Sequence, residues 1–163
     1  MAAGATYEPI ATTTLGSGAN SITLSSIPAT YTDLVVVFVG ANASADDFIL
    51  RFNSDSSSLY STTQLIGDGT SAASIRSTSV TEIQLGYGTT NRINSAIINV
   101  MSYANTSTNK TALYSYNNTN DFMRRNVALY RSTSAINSIT IQRSGAGNMN
   151  IGTTMTLYGI LKA

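Results

Sequence analysis

Short runs rich in Val, Ile, Leu, Phe and Tyr recur along this chain, each closed by Gly, Asn, Asp, Ser or Pro, and nowhere does an i, i+3, i+4, i+7 apolar pattern persist. A chain written this way can bury its apolar side chains only by alternating them across pleated strands. We read about ten strands and almost no helix. The clearest is Asp33–Val39, whose Leu34-Val35-Val36-Val37-Phe38-Val39 run is β-branched and apolar on both sides and reads as a central strand covered on both faces. Phe48–Phe52 alternates, with Phe48, Leu50 and Phe52 on one side and Ile49 and Arg51 on the other. Tyr7–Leu15 alternates weakly and reads as an edge strand after a short N-terminal lead at 1–8.

The other expected strands are Ser21–Leu24, Tyr60–Ile66, Thr81–Leu85, Ile93–Tyr103, Thr111–Tyr116, Val127–Arg131, Ser138–Arg143 and Asn150–Leu161. Thr111–Tyr116 is expected to pair with Val127–Arg131 across a loop at Asn117–Arg125, and the last two strands to form a hairpin around Ser144-Gly145-Ala146-Gly147-Asn148. Ser71–Ser79 is poor in apolar residues and reads as a long loop. The resulting fold is an all-β, antiparallel β-sandwich of jelly-roll type, one domain over 1–163, with Val36, Phe38, Phe52, Ile98 and Leu157 in its core. A plain immunoglobulin-like sandwich ranks second, since its Cys and Trp markers are absent.

The chemistry on offer is narrow. There is no His, Cys or Trp, so the His and Cys that most enzymes use as base, nucleophile or metal ligand are missing, and no cofactor is expected. Only 10 % of residues are charged against the usual roughly 25 %, so solubility rests on Ser and Thr, which make up roughly a quarter of the chain. The net charge is +1 with no basic run, which argues against nucleic acid as a partner. The longest apolar run is far too short for a membrane-spanning helix, and Met1–Glu8 lacks the basic and apolar regions of a secretory signal.

A glycosidase would need two facing carboxylates, drawn from Glu8, Asp33, Asp46, Asp47, Asp55, Asp68, Glu82 and Asp121; Asp33 with Asp55 or Glu82 is the pairing we consider, against a reading of all eight as strand-end and turn residues. Asn53-Ser54-Asp55-Ser56 has the oxygen density of a calcium loop but lacks its Gly and terminal Glu, so an Asx turn is expected. Tyr87, Tyr103, Tyr114, Tyr116 and Tyr130 would stack on sugar rings if exposed and clustered, or serve as half-buried sandwich residues.

Several ordered fragments carry a resemblance: Ser26-Ile27-Pro28-Ala29-Thr30-Tyr31-Thr32-Asp33-Leu34, Arg51-Phe52-Asn53-Ser54-Asp55 with Tyr60, Tyr103-Ala104 with Lys110, Ala135-Ile136-Asn137-Ser138-Ile139, and Leu157-Tyr158-Gly159-Ile160. Together they resemble the small β-sandwich virion proteins of tailed bacteriophages, which serve as capsid decoration (cement), head-fibre or tail-fibre components. The resemblance implies a non-enzymatic protein on the outer capsid surface, with the major capsid protein as partner and, by analogy, a homotrimeric state. It carries over no catalytic residue. The alternative it implies is a fibre domain that binds a host receptor or glycan. Within the fold, an Arg51–carboxylate pair would brace one end of the sandwich. The polar loops Asn105–Lys110 and Asn117–Arg125 are the expected contact surfaces, with Asn105, Lys110, Asn117, Asn118, Arg124 and Arg125 as the interface residues.

Overall fold

The computed structural model describes residues 6–118 and 122–161. Twelve strands run in chain order as β1 (Tyr7–Thr14), β2 (Ser21–Leu24), β3 (Asp33–Gly40), β4 (Asp46–Phe52), β5 (Tyr60–Gly67), β6 (Ala72–Val80), β7 (Ile83–Gly88), β8 (Asn94–Met101), β9 (Lys110–Asn118), β10 (Phe122–Tyr130), β11 (Ile139–Arg143) and β12 (Thr154–Ile160). They form an eight-stranded antiparallel sheet, β1-β12-β3-β8-β9-β10-β5-β6, and a four-stranded one, β2-β11-β4-β7. No helix occurs among the described residues.

The smaller sheet has the inner order of a jelly roll, in which the first, last, third and sixth strands lie side by side. The complementary order is β3, then the β8-β9-β10 meander, then β5 and β6. The meander takes the place of one strand. Because it contributes three strands, β10 runs in the same direction as β8, and the antiparallel pairing to β5 is preserved. The strands β12 and β1 widen the sheet on the other side.

The inner faces meet in one core that contains all five expected residues, Val36, Phe38, Phe52, Ile98 and Leu157. Alternation places them: Leu34, Val36 and Phe38 of β3 point inward, and their neighbours across the ladder are Val100, Ile98 and Ala96 of β8. Large and small side chains interleave. Ala96 lies between Phe38 and Tyr116, and the Phe38 ring meets Phe48 of the opposite sheet edge-on at 5.0 Å. Gly86 leaves the space that the Tyr116 ring fills; a Cβ there would lie 2.3 Å from it.

Several boundaries differ from the sequence expectation. Ser71–Ser79 is not a loop but most of β6, an edge strand that packs against the core at its end, through Val80, and carries no apolar alternation before it. Asn117–Arg125 is not one long loop: the ends of β9 and β10 occupy it, paired from Asn118↔Phe122 to Tyr130↔Lys110, although the expected partnership of the two strands holds. The strands β11 and β12 flank the Gly-rich segment but enter different sheets, so they make no hairpin. The lead is shorter than expected, since Tyr7 and Glu8 pair with β12, and its first five residues lie outside the described ones. The strand β3 is covered on both faces only in part: Val35 is buried on the outer side, whereas Val39 is 42 % exposed.

Candidate functional site

The six residues singled out as an interface do not converge. Asn105 and Lys110 belong to one end of the sandwich, Asn117, Asn118, Arg124 and Arg125 to the other end of β9 and β10. Asn105 is exposed, and its Oδ1 accepts from the Ser107 and Thr108 amides at 2.7 and 3.0 Å, an Asx turn. Lys110 is a correction: it is fully buried, and its ammonium donates to the carbonyls of Thr108 (2.8 Å), Thr133 (3.2 Å) and Ser132 (3.5 Å). Burial pushes its pKa below the usual lysine range. Alternation decides its position, because Lys110 shares the inward parity of Ala112 and Tyr114.

Lys110 therefore pins two loops together. Lys110→Met keeps the stem but removes the three charge-assisted bonds, and should destabilise the fold by about 1–3 kcal/mol, the cost of unpaired buried polar groups. Urea denaturation checks this; an unchanged midpoint would mean that the carbonyls find other donors.

Asn118 is also buried, with its amide donating to the Tyr87 carbonyl (3.4 Å) and the Thr89 hydroxyl (3.1 Å). Arg124 is half-buried on the inner face, donates to Gln64 Oε1 at 2.8 Å and lies 4.8 Å from the Phe122 ring centre. The inward parity of both residues removes them from the outer surface. Asn117 and Arg125 stand exposed on the outer face of the eight-stranded sheet.

The carboxylates are engaged in local structure. Asp33 Oδ1 accepts from the Ser102 amide at 2.6 Å. Asp55 Oδ2 accepts from Tyr130 at 2.7 Å, while Oδ1 holds both Ser57 donors in the expected Asx turn. Glu82 pairs with Arg51 at 2.8 Å, which supplies the brace expected for Arg51, with the carboxylate coming from the β6–β7 connection. Asp46 pairs with the buried Arg143 at 3.1 Å, and Asp68 caps its own turn through Thr70 and Ser71. Asp121 lies outside the described residues. Among the described residues no group of three or more acidic side chains gathers as a metal site would require.

Tyrosine serves the interior. Tyr103, Tyr114, Tyr116 and Tyr130 are buried, and their hydroxyls bond to Pro28 O, Gln84 O, Asn94 Oδ1 and Asp55 Oδ2 respectively. Of the five tyrosines considered for sugar stacking, only Tyr87 is exposed.

The inner face turns polar where the smaller sheet ends. One cross-strand row reads Leu157, Val36, Ile98, Tyr114, Asn126, Gln64, Ile75 from β12 to β6. In the crevice beyond β7, Arg124 donates to Gln64, and Gln84 donates to Asp47 Oδ2 at 2.7 Å. Asn126 is buried beside them with no protein partner for its amide.

The broadest exposed feature is the outer face of the eight-stranded sheet. Val39, Ile97, Leu113, Met123, Val127 and Leu65 all point outward from β3, β8, β9, β10 and β5, each at least about two-fifths exposed. Arg125 and Arg76 are the charges on its β10–β6 side. A shallow depression of about 400 Å³ opens there between Leu65, Leu113, Val127 and Arg125. The outer face of the smaller sheet carries Ser21, Thr23, Thr140, Gln142, Asp47, Arg51 and Gln84, and its one large aliphatic residue, Ile49, is buried. The chain matches no protein-family model, no curated protein and no solved structure. The sequence signal for the apolar face was present, in the outward positions of alternating strands such as Ile97 and Leu113.

Proposed function

We propose that this chain is a non-enzymatic virion structural protein that docks on the outer surface of a capsid as a decoration protein. The observation that carries the proposal is the outer face of the eight-stranded sheet. Exposed Leu65, Ile97, Leu113, Met123 and Val127, set among Asn99, Ser115, Asn117 and Thr63 with sparse charge, on a protein whose other sheet leaves no large aliphatic side chain exposed on its outer face, mark a surface made to be covered. Arg76 and Arg125 favour a protein partner that offers carboxylates around an apolar centre. The jelly-roll strand order and the ordered resemblance to phage virion proteins point the same way, and the engagement of the carboxylates in turns and ion pairs gives the glycan-cleaving alternative no support. The fibre-tip alternative would draw on exposed tyrosines, most of which are core residues here, so the decoration reading is preferred.

Bound copies would stabilise the shell by linkage, because they bind only the assembled state. Particles of the encoding virus made with this chain should rupture at a higher temperature than particles made without it. Leu113→Lys, which changes an exposed side chain, should abolish binding while the variant stays folded. Equal rupture temperatures, or undiminished binding of Leu113→Lys, would overturn the proposal.

A further inference from the structure

The two sheets have four edges, and three of them are protected. The edge strand β1 carries Glu8, Pro9 and a register shift between Pro9 and Ala11. The edge strand β2 has only four residues. The edge strand β7 is short and irregular, with a register shift in its pairing to β4, and β5 lies against it. Proline, charge, bulges, brevity and cover are the devices by which proteins keep sheet edges from pairing with other chains.

The fourth edge, β6, has fewer of them: one charge, Arg76, and a bulge at Ser79 near its end. It is nine residues long, Ala72–Val80, and contains no Pro, Lys, Asp or Glu. Among the described residues β5 is its only strand neighbour. Ala72 to Arg76 are all exposed. Its pairing to β5 is regular from Ala72 to Thr78; the irregularity falls after that, at Ser79, which has a φ of 54°. The surrounding wing presents exposed apolar side chains on both faces, set among polar ones. Leu65 and Met123 lie outward at 61 % and 56 % exposed, and Ile75 projects from the other face at 47 %.

We propose that β6 pairs antiparallel with β6 of a second copy of this chain, across a two-fold axis perpendicular to the sheet. The register follows from the strand itself. The regular stretch Ala72–Thr78 has Ile75 at its midpoint. Centred there, Ile75 faces its own mate, Ala73 faces Ser77, Arg76 faces Ser74, and Ala72 faces Thr78. A centre at Arg76 would set two guanidinium groups directly opposite one another and run the ladder into the break at Ser79, and like charges directly opposite are destabilising. A centre at Ser74 would shorten the pairing to five residues, Ala72–Arg76. The net charge of +1 adds little repulsion between copies.

The product is a continuous sixteen-stranded sheet. Because the axis is perpendicular to it, both apolar outer faces look the same way. This inference does not rest on the capsid reading, but it would give a docking surface two equivalent copies and the avidity that follows. It also differs from the trimer implied by the resemblance, since an isologous edge closes at two.

The chain's lack of cysteine makes the test specific. Sedimentation of the purified protein at tens of micromolar should give twice the chain mass of 17.2 kDa. Ile75→Lys, at a half-exposed position, should return the mass to that of one chain with an unchanged β-sheet circular dichroism spectrum. Ile75→Cys should form an intermolecular disulfide under mild oxidation, since directly opposed Cβ atoms lie about 4.5–5.5 Å apart. Thr78→Cys should not, because its mate would lie six residues away, roughly 20 Å along the strand. A monomer at every concentration, a trimer, an oligomer that survives Ile75→Lys, or equal cross-linking at both positions would each overturn the inference. None of these results bears on capsid docking, which is read from particle binding.

Discussion

Phe38→Ala should lower the unfolding free energy by about 3–5 kcal/mol, the range for removing a buried aromatic ring. The upper part of that range is expected here. Phe38 has no exposure, and its ring spans the seam between the two sheets, 5.0 Å from Phe48. Its strand is held in place by ladders to β12 on one side and β8 on the other, seven Cα partners each. Neither neighbour can shift inward without breaking hydrogen bonds, so the cavity left by the ring collapses little. The Phe38 ring also occupies the space beside Gly40, where a Cβ would come within 2.8 Å of it. A domain of this size has only about 5–15 kcal/mol of net stability, so one substitution removes a large fraction of it.

The matched control is Ile97→Ala, one strand over and on the opposite face, where the side chain is 50 % exposed. It should cost well under half as much, because much of its area faces water in the parent. Urea denaturation followed by circular dichroism gives both numbers. Equal losses at the two positions would mean that the inner and outer faces are wrongly assigned.

The contrast between these positions also shows what the chain made legible. Runs that face a core on at least one side announce themselves. Asp33–Gly40, Asp46–Phe52 and Tyr60–Gly67 were readable within two residues, because burial forces alternation or a continuous apolar run. The strand β6 was invisible for the opposite reason. Its core contact is at its end, through Val80, so the exposed stretch Ala72-Ala73-Ser74-Ile75-Arg76 needs no pattern, and its ladder to β5 makes it a strand. Lys110 misled in another way. A lysine beside Asn105–Asn109 reads as solvated, and its burial depends on three carbonyls supplied by loops, two of them more than twenty residues away in sequence. The β11–β12 segment read as a hairpin because a Gly-rich turn between two strands looks the same locally whether the chain returns beside itself or crosses to the other sheet.

The same limit applies to the site. The strand pattern placed Val36, Phe38, Phe52, Ile98 and Leu157 in the core, but that Tyr103, Tyr114, Tyr116 and Tyr130 would be fully and not half buried was not readable. A tyrosine can be buried only where its hydroxyl finds a partner. Those partners are distant in sequence: Gln84 O for Tyr114, Asn94 Oδ1 for Tyr116 and Asp55 Oδ2 for Tyr130. The outward positions of Ile97, Leu113 and Val127 can be read strand by strand, but that they share one sheet face emerges when the register aligns three strands.

Those buried tyrosines should make the protein fail in alkali, and steeply. Burial pushes the hydroxyls of Tyr60, Tyr114 and Tyr116 well above the ordinary tyrosine value, and Tyr103 and Tyr130 shift the same way, again chiefly by burial. An unfolded tyrosine loses its proton near pH 10, while the native state keeps it. Above that pH the native state binds more protons than the unfolded one, so stability falls as pH rises. Three such protons give a slope of about 4 kcal/mol per pH unit, enough to consume a marginal fold within a few units. Lys110 works in the opposite direction with a single proton. Its depressed native value makes stability rise with pH, but only up to the ordinary lysine value of about 10.4. Between roughly pH 5 and 9 little should change, since the chain has no histidine. On the acid side, hydrogen bonds from Ser57 and Tyr130 hold Asp55 below its ordinary value, so its contribution is full above the ordinary carboxylate value and is lost as pH falls from there through the lowered one. Urea midpoints across the alkaline range measure the slope, and tyrosinate absorbance should rise in the same cooperative step as the loss of β-structure. Tyr116→Phe should reduce the slope by one proton, about 1.4 kcal/mol per pH unit. A native state that ionises these tyrosines while still folded, or a slope that Tyr116→Phe leaves unchanged, would show that their hydroxyls are open to water and that the sandwich is not sealed around them.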